Sequence, residues 1–382
     1  MVKVVILGQG YVASIFASGL EKIKKGELGY YGVPLANELP IKVEDVEIVG
    51  SYDVDSNKIG KSLYEVVKLY DDNAPESLKG IVVRKGIHLG SLRNLPLKAE
   101  GLEDKMTLRE AIDHLVEEWK ELKPDVFINV CTTEAFVPFE SREELERALD
   151  ENRKERFTAT QVYVYAAAKY AKEVGGAAFV NAIPTLIAND PVFAELAKES
   201  RLAVFGDDGA TGATPLTADV LAHLAQRNRY VKDVAQFNIG GNNDFLALTD
   251  KERNKSKEFT KSSIVMDLLG YDAPHYIKPT GFLEPLGDRK FIAMHIEYVS
   301  FNGAIDELII NGRINDSPAL AGLLVDLARL GKIAIEKGQF GPIYEVNAFY
   351  MKNPGPKDMP NIPRIIAYEK MRMWAGLEPR WL

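Results

Sequence analysis

Two lysines, Lys257 and Lys261, stand four residues apart in the stretch 238–269, NIGGNNDFLALTDKERNKSKEFTKSSIVMDLL. On a helix that spacing puts both ammonium groups on one face, about a turn from each other. Like charges so placed oppose helix formation by roughly 0.2–0.5 kcal/mol. An anion held between them offsets that cost, and proximity lowers the pKa of one lysine for acid–base work. A solvated basic helix face has the same spacing. The stretch opens on a polar turn that adds Asn242, Asn243 and Asp244 to the groups available for chemistry.

Two further blocks carry chemistry of their own. The apolar run VKVVIL at 2–7 leads into Gly8-Gln9-Gly10-Tyr11-Val12-Ala13 and then a helical pattern. The first glycine permits a tight turn, the second lets a pyrophosphate approach the backbone, and the small Ala13 packs helix on strand. Asp53 ends the next apolar run, where an acid binds the adenosine ribose and favours NAD over NADP. The interval from Gly10 to Asp53 is longer than the usual ~20 residues, so 26–44 is expected to be a loop excursion. The second block, GDDGATGAT at 206–214, precedes a helical pattern at 215–226. Backbone amides at a helix start, with two threonine hydroxyls, suit a phosphate monoester. An ordinary glycine-rich turn accounts for the glycines but not for the Asp207-Asp208 pair.

Composition excludes several classes. A chain of 382 residues has room for two or three domains, and 46% hydrophobic with 27% charged residues is ordinary for a globular protein. A net charge of -8 with no basic tail argues against nucleic acid as a partner. One cysteine, Cys131, and five scattered histidines make neither a disulfide framework nor a His-rich metal site. No apolar run reaches ~18 residues and no signal-peptide pattern opens the chain, so a cytoplasmic protein without a membrane segment is expected.

Alternating apolar runs and helical patterns through residue 237 predict an α/β, doubly wound Rossmann-like domain. Predicted pieces include strands at 80–84 and 125–131 and a long helix over 142–173, broken once. After 238 the pattern changes to strands at 276–279, 290–300 and 304–314, the last two a hairpin through Phe301-Asn302-Gly303. A helix at 317–336 and a strand at 344–351 follow. The expected division is a cofactor domain, 1–237 completed by 353–382, and an α+β catalytic and oligomerisation domain, 238–352, with an open sheet.

GGNNDF followed by SKEFTKSSIVMD resembles the most distinctive block of the myo-inositol-1-phosphate synthase family. Gly287-Asp288-Arg289-Lys290, Asn315-Asp316-Ser317 and Tyr350-Met351-Lys352 are similar to its other polar blocks, and 206–214 to its phosphate loop. The resemblance implies a compact prokaryotic-type member that binds NAD through Gly8, Gly10, Tyr11, Val12, Ala13 and Asp53. It implies Thr132 and Thr133 near the nicotinamide, and Thr211, Gly212, Ala213 and Thr214 on the sugar phosphate. Lys257, Lys261, Lys290 and Lys352, with Asp208 and Asp316, would stabilise oxyanions and move protons. Asn242, Asn243 and Asp244 would join the site, with Lys278 a fifth lysine. The implied reaction turns D-glucose 6-phosphate into 1L-myo-inositol 1-phosphate, by oxidation at C5, enolisation, aldol closure and re-reduction. A homotetramer assembled through the second-domain sheet is implied too. Family members use a divalent or a monovalent cation, and Asp207 and Asp208 are the acids available for one. A conventional NAD-dependent dehydrogenase of a phosphorylated sugar is the nearest alternative, and a non-catalytic NAD sensor is another, for which the four polar blocks beyond the glycine turn would be superfluous.

Overall fold

The computed structural model describes residues 1–93, 95–250 and 264–381. Seven parallel strands form the first sheet in the order β11-β6-β5-β4-β1-β2-β3. They are β1 Val2–Leu7, β2 Val46–Asp53, β3 Val83–Lys85, β4 Val126–Asn129, β5 Ala177–Asn181, β6 Leu202–Phe205 and β11 Gly341–Pro342. This is the doubly wound order, with its switch point between β1 and β4. Alternate residues of β1 feed two cores. Val4 and Ile6 pack with Phe16 and Leu20 of helix Tyr11–Lys24 and with Leu324 and Leu327 of helix Asp316–Glu336. Val5 and Leu7 pack with Leu115 and Trp119 of helix Leu108–Leu122 and with helix Ala159–Val174.

The second sheet has four strands in the order β10-β9-β7-β8, namely β7 Tyr230–Gly240, β8 His275–Phe282, β9 Arg289–Val299 and β10 Ile305–Asn315. The hairpin β9–β10 is antiparallel and turns through Phe301–Gly303, while β8 runs parallel to β7. One face packs Val234, Ile277, Met294 and Ile296 against Leu221 and Leu224 of helix Ala213–Gln226 and against Ile264 and Val265.

Several local expectations are revised. Residues 344–351 form helix Tyr344–Tyr350 rather than a strand, burying Val346, Asn347 and Tyr350 at helical spacing. The long helix is two, Arg142–Asp150 and Ala159–Val174, the second capped by Thr158. Residues 76–80 are a short 3-10 turn, and β3 begins only at Val83. The chain also changes sheets at other points than its pattern suggests. Tyr230–Gly240 already belongs to the second sheet, while helix Asp316–Glu336 and β11 lie on the first. The excursion at 26–44 is pinned by that helix. Asp326 accepts from the Leu35 amide, and Arg329 donates to the Ala36 and Ile41 carbonyls. The lysine helix itself, with Lys257 and Lys261, lies outside the described residues.

Candidate active site

A cavity of about 420 Å³ opens at the switch point of the first sheet, where the second sheet closes over it. Gly8, Gly10, Tyr11 and Val12 form one wall. Gly8 has φ +94, and a Cβ there would come within 2.9 Å of Cys131. Gly10 has nothing within 4 Å of its Cβ position, so the backbone there can meet a ligand directly. No side chain caps the helix that starts at Tyr11, leaving amide N–H groups for an anion. Ala13 is buried beneath, as its packing role requires. Tyr11 stacks on Tyr70 at 5.3 Å, and burial, with Asp288 and Asp71 nearby, raises its hydroxyl pKa. Asp53 lines the cavity from the end of β2, with Oδ1 accepting from the Val54 and Asp55 amides at 2.7 Å each. A dinucleotide fits this wall on all three counts: bare backbone, free helix amides and an acid at the second strand end.

Across the cavity stand Thr132, Thr133, Asn242, Asn243 and Asp244. Thr133 Oγ1 donates to Asp244 Oδ1 at 2.8 Å, joining the loop after β4 to the polar turn after β7. Asn242 caps helix Asn243–Ala247, and its Nδ2 donates to Asp288 Oδ1 at 3.0 Å.

Asp208, Asp316 and Lys352 line the third wall, and Lys290 stands behind it, so that two lysine–carboxylate pairs meet there. Lys352 Nζ lies 2.8 Å from Asp208 Oδ1, with both side chains buried. The loop after β6 runs beside the chain at 350–353, with a bridge between Gly209 and Met351 and the Lys352 amide on the Asp208 carbonyl at 2.7 Å. Lys290 Nζ lies 2.7 Å from Asp316 Oδ1, which also accepts from Thr211 Oγ1 at 3.1 Å. Gly212 has φ +61 and sits directly under this pair: a Cβ there would be 2.7 Å from Lys290 Nζ. It precedes helix Ala213–Gln226, whose first residues Ala213 and Thr214 are buried behind Thr211.

Two expectations shift here. Lys278 does not line the cavity. It is paired in register with Phe237, itself opposite Ala293, and strand alternation puts that row on the face opposite Lys290. Its Nζ lies 5.4 Å from the Tyr276 ring. Asp207 is not a free cation ligand either. Its carboxylate accepts from Asn181 Nδ2, the Ile187, Ala188 and Asn189 amides, and Asn189 Nδ2. Burial pushes its pKa up to about 6 against the pull of those donors, whose hydrogen bonds make it a brace for the loop at 206–214. Among the described residues His88, Glu103 and Asp104 are close enough to share a metal ion. His88 Nδ1, however, accepts from the Gly90 amide, so Nε2 carries the proton and donates to Asp104 at 2.9 Å. That is a hydrogen-bonded pair already satisfied without an ion.

The family model for myo-inositol-1-phosphate synthase matches residues 212–317. The inositol-3-phosphate synthase of Mycobacterium tuberculosis is 30% identical over 372 residues, covering 94% of this chain and 92% of that protein. The chain belongs to the myo-inositol-1-phosphate synthase family. The Corynebacterium glutamicum inositol-3-phosphate synthase is 29% identical over 94% of this chain and 95% of that protein. Among solved structures, a myo-inositol-1-phosphate synthase-related protein from Thermotoga maritima is 74% identical, with a TM-score of 0.96 and full coverage of both chains. The Caenorhabditis elegans inositol-3-phosphate synthase shares the fold at a TM-score of 0.81 and 16% identity.

The cavity lining includes two residues that the sequence motifs did not single out. Asp288 holds three segments together. Its carboxylate accepts from Asn242 Nδ2, from the Ser317 amide at 2.9 Å and from Ser317 Oγ at 2.6 Å. The signal was its place in Gly287-Asp288-Arg289-Lys290, where the lysine drew the notice. Lys58 is the other, a buried ammonium five residues after Asp53 in what reads as a surface turn.

Proposed function

We propose that this protein is an NAD-dependent isomerase that converts D-glucose 6-phosphate into 1L-myo-inositol 1-phosphate without net redox change. The observation that carries the reading is the convergence of two lysine–carboxylate pairs, the part-buried Lys290–Asp316 and the buried Lys352–Asp208, beside the glycine-rich wall in a chain of this family. NAD, when bound, would supply reversible hydride acceptance at C5, so that the hydride taken before ring closure would be available for return after it. Between those transfers a proton leaves C6, and oxyanions develop at C5 and C1. A carboxylate partner holds each lysine in place, so Lys290 and Lys352 can each stabilise an oxyanion or pass a proton at Nζ. Thr211, Gly212, Ala213 and Thr214 are assigned to the substrate phosphate, with helix amides as donors. Lys257 and Lys261 are assigned to the same centre on the resemblance of their block. Gly8, Gly10, Tyr11, Asp53 and Thr133 are assigned to the cofactor.

Incubation with NAD and glucose 6-phosphate tests the proposal. Inositol phosphate formed without accumulation of NADH is the expected result. Steady release of NADH would make the protein a conventional dehydrogenase, and no turnover would leave a cofactor-binding protein without this activity.

A homotetramer through the second sheet is part of the same proposal. Its outer face carries a registered row, Ile309, His295, Ala235 and Tyr276, and Ile309 is 67% exposed. A sheet face that leaves Ile309 and Tyr276 exposed is the kind of surface a second copy covers. Light scattering should find a tetramer, and Ile309→Asp should shift it towards smaller species.

A further inference from the structure

Lys58 lines the cavity beside Asp53, and nothing in the reaction proposed above uses it. Its Nζ donates to the Gln9 carbonyl of the glycine-rich turn at 3.0 Å and faces Asp53 Oδ2 at 3.4 Å. The Gln9 side chain is itself fixed, accepting from Ser51 and donating to Ser14. Asp55, also buried, stands on the same wall. The ribose end of the cofactor wall therefore holds two carboxylates and one ammonium. Burial draws the Lys58 pKa down, but Asp53, Tyr70 and Asp55 more than compensate, and the ammonium stays charged at neutral pH.

We infer that Lys58 is a specificity-determining residue: its ammonium, set against Asp53, fixes how strongly the site prefers NAD to NADP. The inference rests on the NAD reading proposed above. A ribose diol is uncharged and needs only an acceptor, whereas a 2′-phosphate responds to the summed charge around it. At distances near 5 Å in a partly buried site, one unit charge changes phosphate affinity by well over tenfold. Removing the ammonium leaves the carboxylates unopposed, and removing the Asp53 charge leaves the ammonium unopposed. The two changes move the coenzyme preference in opposite directions.

Titration calorimetry with NAD and with NADP tests this on the full-length protein, comparing wild type, Lys58→Met, Lys58→Arg and Asp53→Asn, with the exposed Lys61→Met as control. The ratio of the NADP to the NAD dissociation constant should rise at least tenfold in Lys58→Met and fall at least tenfold in Asp53→Asn. Lys58→Arg and Lys61→Met should keep the wild-type ratio. If affinity for both coenzymes falls in step in Lys58→Met, the lysine only braces the glycine turn and the inference is overturned. An unchanged ratio in Asp53→Asn overturns it independently, even where Lys58→Met does not fold. Wild-type protein that binds neither coenzyme would instead remove the NAD reading, and the inference with it.

Discussion

The Lys352 ammonium and the Asp208 carboxylate meet at 2.8 Å across 144 residues of chain. The pair exists because the loop after β6 and the chain following helix Tyr344–Tyr350 run side by side, bridged at Gly209 and Met351. Both partners are buried, so removing either one takes this partner from a buried charge.

Lys352→Met should therefore lower stability by roughly 3–5 kcal/mol and turnover by on the order of 10²-fold or more. The double variant Lys352→Met with Asp208→Leu should regain much of the stability and none of the turnover. Thermal melts and product formation separate the two effects. Turnover restored along with stability would make the pair structural only.

Gly212→Ala places a methyl group where Lys290 Nζ now lies, at a φ of +61 that side chains rarely adopt. Lys290 should be displaced from Asp316 and turnover should drop by at least about tenfold. NAD affinity should stay within about twofold of wild type, since the glycine-rich wall is untouched. Equal losses in both readouts would point to general unfolding of the loop.

Asp288→Ala cuts the common anchor of Asn242 and Ser317. Loss of the cap on helix Asp316–Glu336 should cost about 1 kcal/mol. Asp316 and Asn242 should lose their alignment as well, so that kcat falls by on the order of 10²-fold. Asp288→Asn keeps an acceptor oxygen and should recover part of kcat. A kcat equal to wild type in the alanine variant would remove Asp288 from the site.

For Lys257 and Lys261, outside the described residues, the expectation rests on the sequence. Lys261→Ala should fold normally, since it removes one of two like charges at helical spacing, and should lose on the order of 10²-fold in turnover. Lys255, two positions before Lys257 and so on another helix face, is the control and should tolerate alanine. Matching losses in the two variants would indicate general electrostatic attraction of the substrate rather than a role for Lys261.

Much of this protein was legible in its sequence because the signals are local. The largely apolar β1, the glycine turn directly after it and Asp53 at the end of β2 require only nearest-neighbour sterics and strand geometry. The glycine at 212 and the hairpin through Phe301–Gly303 are also local. The polar blocks could be assigned because resemblance supplied what spacing alone does not. Tertiary structure decided the rest, for reasons that lie outside any short window. Whether Lys278 or Lys290 shares the covered face of the second sheet depends on which face the helix Ala213–Gln226 packs on, and period-two alternation is symmetric until one face is covered. Residues 344–350 alternate well enough to read as a strand, but burial of Val346, Asn347 and Tyr350 against the first domain selects a helix. Asp207 and Asp208 are neighbours of one type, yet one is enclosed by N–H donors and the other faces Lys352. Lys58 looks like a surface lysine until Asp53 and the Gln9 carbonyl close around it. In each case a long-range contact set the electrostatic environment, and that environment gave the side chain its role.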